Sequence, residues 1–196
     1  MEPARLSATD LACRRGERLL FRGLSFALQA GEAAQVIGPN GTGKSSLLRI
    51  LAGLLKPFAG IVERSGGLAL LDERLALDGD LPLGRALGFW AEIDRVGFLA
   101  RESLADALGL GGLLDVPVRY LSTGQRKRAA IMQSNARAAP IWLLDEPLNG
   151  LDAEAAAAFQ RQVANYLRAG GIAVIASHQP FEVPGLRRLE LADFAP

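Results

Sequence analysis

The run Gly38-Pro39-Asn40-Gly41-Thr42-Gly43-Lys44-Ser45 constrains this chain more than any other stretch. It fits G-x-x-x-x-G-K-[ST] and lies between a short apolar segment, Ala33 to Ile37, and a leucine-rich one. Glycines at those places let the backbone curl until successive N–H groups face one phosphate, and a helix starting there adds positive potential. Lys44 then reaches the β- and γ-oxygens of a nucleotide, and the Ser45 hydroxyl is a ligand for Mg²⁺. A glycine-rich turn that merely caps a helix is the competing explanation. Lysine is scarce (Lys44, Lys56 and Lys127 are all there are), so the pattern would arise by accident in roughly two such chains per thousand.

The flanking sequence supplies the context this loop needs. Before it, residues 1 to about 37 read as strands, with Leu24, Phe26 and Leu28 alternating with other residues and Ala33 to Ile37 as a buried run. After it, Leu47, Leu48, Leu51, Leu54 and Leu55 share one helical face, which predicts a helix ending before Lys56-Pro57. Ile61 to Glu63 and Leu68 to Leu71 are short strand candidates. From Leu83 to Leu114 the pattern is helical again, in Ala86 to Asp94 and Glu102 to Leu108, and reads as a helical insertion. The last third alternates: a helix after Gly124, the run Ile141 to Leu144, a helix from Glu154 to Arg168, and the strand Ile172 to Ala176. Continuous apolar strands separated by helices imply a parallel sheet covered on both faces.

At 196 residues and 49% hydrophobic, the chain has the length and composition of one folded domain. Its 22 Lys+Arg against 21 Asp+Glu leave a net charge of +1, which removes the general electrostatic case for nucleic acid. Cys13 is the only cysteine and His178 the only histidine, so an intrachain disulfide, Cys-rich metal sites and His-pair zinc sites are excluded, and a reducing compartment fits best. No signal peptide is expected at the N-terminus, and no apolar run approaches the roughly 18 residues of a membrane span.

Two further stretches carry chemistry. Ile141-Trp142-Leu143-Leu144-Asp145-Glu146 is an apolar strand that ends in adjacent carboxylates, which are costly to bury unless they meet a cation or polarise water. Asp145 suits the Mg²⁺ shell, and Glu146 suits orienting or deprotonating an attacking water. Leu121-Ser122-Thr123-Gly124-Gln125 precedes a helix expected near Arg126; Ser122 or Thr123 suits capping it, while Gly124 permits close approach of a phosphate.

These elements, in order with Leu148-Asn149-Gly150-Leu151-Asp152 and Ser177-His178, resemble the ATP-binding cassette ATPases over almost the whole chain. The resemblance implies an α/β fold: a mostly parallel core sheet, an antiparallel β subdomain and a helical subdomain at about 75–125, within a single domain 1–196. It implies ATP and Mg²⁺ bound at the loop from Gly38 through Ser46, with Ser45 and Asp145 on the metal, and Lys44, Glu146 and His178 in hydrolysis. It also implies a head-to-tail homodimer in which Ser122, Gly124 and Gln125 of one copy cover the nucleotide of the other, with Asp152 in the joining loop. His178 would sense the γ-phosphate; by itself, a lone histidine after a strand is usually a surface residue.

Two places depart from that family's pattern. Arg14-Arg15-Gly16 stands where an aromatic residue usually stacks on adenine; Arg15 suits stacking its planar guanidinium on the base, or is a solvated arginine. No glutamine occurs between Lys44 and Gln125, where the family places one on Mg²⁺; the matching stretch is Leu71-Asp72-Glu73-Arg74.

Within the family, Leu6 to Phe21, Phe21-Arg22-Gly23-Leu24-Ser25-Phe26 and Ser122 to Arg128 look like the ATPase subunits of cytochrome c maturation systems. That likeness implies a peripheral subunit on the cytoplasmic face of the bacterial inner membrane. It would be docked on an integral permease of the CcmB type and drive a haem-handling step, with no direct haem binding of its own. The competing expectations are a cassette ATPase for another cargo, a soluble cassette protein acting on nucleic acid, and a small-molecule kinase. Phe89 and Trp90 suit either the core or a groove for the membrane partner.

Overall fold

The computed structural model describes residues 3–72, 77–93, 105–106, 108–136 and 139–196. Two compact units emerge, one of residues 1–72, 139–147 and 157–196 and the other of 73–138 and 148–156.

The first unit holds two sheets. β1 (Arg5–Arg15), β2 (Arg18–Gln29) and β4 (Ala59–Ser65) form an antiparallel sheet in the order β2-β1-β4. Arg15 pairs with Arg18 across a tight hairpin in which Gly16 takes a φ of 58°. The expected alternation holds in β2, where Leu24 and Leu28 are buried and Phe26 half-buried. The second sheet has the order β5-β6-β7-β3-β8, from β3 (Ala33–Ile37), β5 (Leu68–Leu71), β6 (Ile141–Asp145), β7 (Ile172–Ala176) and β8 (Arg187–Glu190). Every neighbouring pair in it is parallel. β6 and β7 are buried at every residue, as strands covered on both faces must be. β8 was not expected: Arg-Arg-Leu-Glu at a sheet edge is mostly exposed and offers no apolar run to read.

Between β3 and β4, α1 (Lys44–Leu51) buries Leu47, Leu48 and Leu51. The helix ends earlier than the leucine pattern predicts, and Leu54 is 70% exposed. Gly53 is the reason. It takes a φ of 76°, its N–H donates to Ile50 O and the Leu54 N–H to Arg49 O, a Schellman termination that turns the chain off the helical path. α4 (Ala153–Arg168) buries Phe159, Val163 and Leu167, spaced four apart along one face.

The second unit contains α2 (Leu83–Ile93), two 3₁₀ turns (Gly111–Leu113 and Val118–Tyr120) and α3 (Thr123–Ala136). It has its own core, including Leu83, Leu87, Leu110, Val118, Ala129 and Met132. Trp90 packs against that core, but Phe89 is 58% exposed and is not a core residue. Asp94 and most of the expected helical stretch from Glu102 to Leu108 lie outside the described residues.

The parallel sheet decides where the chemistry gathers. β3, β7 and β6 are consecutive neighbours, so the loop after β3, Ser177-His178 after β7 and the acids closing β6 leave the sheet side by side at its carboxyl edge.

Candidate active site

α1 begins at Lys44 with Gly43 as its N-cap, in the left-handed region at a φ of 111°. Glycine is required twice over there, because a Cβ would also stand 3.2 Å from the Phe21 ring and from Leu20. The helix has no side-chain cap and no acidic residue in its first turn, which leaves its positive end open to an anion. In the loop itself, the Thr42 hydroxyl donates to Pro39 O at 2.9 Å, and a Cβ on Gly38 would stand 2.9 Å from that hydroxyl oxygen. Asn40 and Gly41 are exposed at the tip.

Lys44 is 6% exposed and folds back into this loop: its Nζ donates to Gly38 O at 2.7 Å and to Pro39 O at 3.4 Å. Glu146 Oε1 lies 3.8 Å from the same Nζ. A buried ammonium lodged among its own loop's carbonyls, beside an uncapped helix start, is a cradle suited to polyphosphate oxygens. Ser45 is exposed, and Asp145 is buried at the end of β6, on which α1 packs. A hydroxyl and one carboxylate are hard oxygen donors suited to Mg²⁺, which takes few protein ligands and fills its shell with water and phosphate.

Glu146 is held firmly. Its φ of 44° places a non-glycine residue in the left-handed region, and its N–H donates to Ala176 O at 2.8 Å. Its Oε2 lies 2.9 Å from Nδ1 of His178 and also accepts the His178 backbone N–H at 3.4 Å. A carboxylate accepts, so the tautomer that suits this contact carries its proton on Nδ1 and leaves Nε2 for another partner. Strain at such a residue persists only where its surroundings over-determine it. His178 is thus more than a surface histidine, though half of its side chain remains exposed.

Ser46 follows Ser45 into α1 and lies beside the buried thiol of Cys13. Burial pushes that thiol up, against smaller opposing effects of Ser46 and the Arg15 charge. Arg15 is exposed at the hairpin, whereas the Arg14 guanidinium lies 4.5 Å over the ring of Phe58. Asp72 pairs with Arg49 of α1 at 3.4 Å, while Glu73 and Arg74 lie outside the described residues.

In the second unit, Ser122 and Gln125 engage each other. The Gln125 N–H donates to Ser122 Oγ at 3.2 Å and the Ser122 N–H to Gln125 Oε1 at 2.8 Å, a capping box that starts α3 at Thr123, earlier than expected. Gly124 lies against the loop preceding α4: a Cβ there would stand 2.6 Å from Gly150 O. Asp152 caps α4, accepting the Ala155 N–H at 2.8 Å.

One polar residue escaped the sequence reading. Gln35, in the middle of Ala33-Ala34-Gln35-Val36-Ile37, is 2% exposed, and its Nε2 donates to Gln179 O at 2.8 Å and, more weakly, to Ser177 O at 3.5 Å. An amide inside an otherwise apolar strand was the available signal.

A phosphate cradle between β3 and α1, with carboxylates closing β6 two strands away in the same parallel sheet, defines a P-loop nucleoside triphosphatase. A family model described as ABC transporter matches residues 21–149. The chain belongs to the ABC transporter family, as an ATPase of the cytochrome c biogenesis ATP-binding export group. It is 57% identical over 196 residues to the "Cytochrome c biogenesis ATP-binding export protein CcmA" of Novosphingobium aromaticivorans, covering all of both chains. It is 50% identical over 190 residues to the protein of that name from Sphingopyxis alaskensis, covering 97% of this chain and 98% of the relative. Among solved structures, an ABC transporter ATP-binding protein from Pyrococcus furiosus superposes with a TM-score of 0.85 at 20% identity, over 98% of this chain and all of that one, a likeness of fold.

Proposed function

We propose that this chain is the ATP-hydrolysing subunit of an export complex of cytochrome c biogenesis, using ATP to drive a haem-handling step that releases a haem-loaded chaperone. The cargo reading rests on the full-length similarity to the CcmA protein of N. aromaticivorans. The hydrolytic reading rests on one observation: the Glu146 carboxylate is fixed between the Lys44 ammonium and the His178 ring.

The loop from Gly38 to Ser46 binds the phosphates, Lys44 exchanging the carbonyls of Gly38 and Pro39 for the β- and γ-oxygens. Ser45 and Asp145 hold Mg²⁺, which supplies charge neutralisation on the phosphate oxygens. Glu146 orients the attacking water and accepts its proton. His178 donates Nδ1–H to Glu146 and turns Nε2 toward the γ-phosphate. Arg15 lies over the base. Ser122, Gly124 and Gln125 of a second copy close the site, with Asp152 in the loop between the two nucleotides. No described helix is long and apolar enough to cross a membrane. In the reading proposed here the subunit works on the cytoplasmic face of the inner membrane, docked on an integral permease of the CcmB type.

The test is replacement of the gene by a Glu146→Gln version in its native host. The variant chain should still co-purify with an integral membrane protein, while phosphate release and c-type cytochrome assembly are lost. Normal cytochrome assembly without the chain would refute the cargo. Mg²⁺-dependent phosphate release that survives the substitution would refute the hydrolytic assignment.

A further inference from the structure

We propose that Gln35 is a positioning residue for hydrolysis: it fixes the segment carrying His178 so that the imidazole meets Glu146. The inference rests on the roles of His178 and Glu146 given above.

β3 is otherwise apolar and buried, and an aliphatic side chain at position 35 would be the less costly occupant. The amide is only half satisfied, since Gln35 Oε1 has no hydrogen-bond partner among the described residues. Burying an amide that leaves its acceptor orphaned stabilises little, which calls for a reason other than stability. Its donor end supplies one. The Nε2 group is shared between the carbonyls of Ser177 and Gln179, the residues on either side of His178. Those peptides leave β7 just where the sheet ladder stops, the last link being the Ser177 N–H to Val36 O at 3.3 Å. Past that point the Gln35 amide and a turn closed by the Gln179 N–H on Ser177 Oγ at 3.0 Å hold the backbone, beside the longer contact of the His178 N–H with Glu146 Oε2 at 3.4 Å. The direction of the His178 ring follows from that backbone, and its approach to Oε2 of Glu146 with it. Gln35 lies within β3, before the phosphate loop, and its side chain donates to the carbonyls on either side of His178, so it acts through that residue.

The experiment measures ATP hydrolysis by the full-length chain carrying Gln35→Met, alone and with His178→Ala. The expected result is a kcat lowered roughly 10- to 100-fold with KM for ATP unchanged, and no further loss when the substitution is added to His178→Ala. A second readout needs no turnover: His178 is the only histidine, so its ring ¹⁵N signals are unique. Glu146→Gln should move them in the wild-type background and leave them unmoved in Gln35→Met. Gln35→Leu repeats both measurements should the methionine variant fold poorly. An unchanged kcat, a loss that adds to that of His178→Ala, or an undiminished response of the ring to Glu146→Gln would each overturn the proposal. If His178→Ala alone costs no turnover, the assigned role of His178 fails, and the ring signals still decide whether Gln35 positions it.

Discussion

Nδ1 of His178 lies 2.9 Å from Oε2 of Glu146, across 32 residues of chain. The contact joins the ends of two neighbouring parallel strands, β7 and β6, and places the imidazole beside the carboxylate that also faces Lys44.

Glu146→Gln keeps the size of this side chain and removes its charge and proton affinity. Hydrolysis should fall roughly 10²- to 10⁴-fold, with nucleotide affinity kept. Phosphate release under saturating ATP, set beside equilibrium binding of a labelled nucleotide, separates the two. Lys44→Ala should weaken both.

Removal of the His178 ring takes away a hydrogen bond to a charged group, worth about 1.5–3 kcal/mol, so His178→Ala should lower kcat roughly 10- to 150-fold. The ring is half exposed and outside the phosphate loop, so binding should change less than turnover. Steady-state kinetics over a range of ATP concentrations gives both quantities.

Gly124→Ala drives a methyl group to 2.6 Å from the Gly150 carbonyl oxygen, and backbone must move. Turnover should drop at least roughly tenfold. Gly112→Ala, where a Cβ meets nothing within 4 Å, serves as the control and should be near neutral in both activity and melting temperature.

The Cys13 thiol is pushed up by burial, so the folded chain keeps this proton at a pH where the unfolded chain has lost it. Stability should therefore decline as pH rises past about 8.5, the folded state binding more protons than the unfolded one. Tyr166 acts in the same direction at higher pH, also through burial. Urea titrations between pH 7 and 10 should show a shallower alkaline decline for Cys13→Ala, and iodoacetamide should label Cys13 only under denaturing conditions.

Much of the site was legible because its parts are local. The phosphate loop, the acids after Ile141 to Leu144 and the helix from Glu154 each announce themselves within a few residues, through glycine spacing, apolar runs and helical periodicity. Where a local signal competed with another, the reading slipped: Gly53 outweighed the leucine pattern that extended to Leu55, and the exposed edge strand β8 had no pattern to read.

The sequence by itself determined that a phosphate-binding loop would join a buried strand to a helix, and that carboxylates would end another such strand. Chain order cannot say which strands become neighbours. Only the tertiary structure decided that β7 lies between β3 and β6, because β3, β6 and β7 are all buried apolar strands and their order follows from how the crossovers between them pack onto the sheet, not from any local pattern. That order puts His178 on Glu146 and gives the Gln35 amide, a lone polar group in an apolar run, its carbonyl partners more than a hundred residues away in the chain.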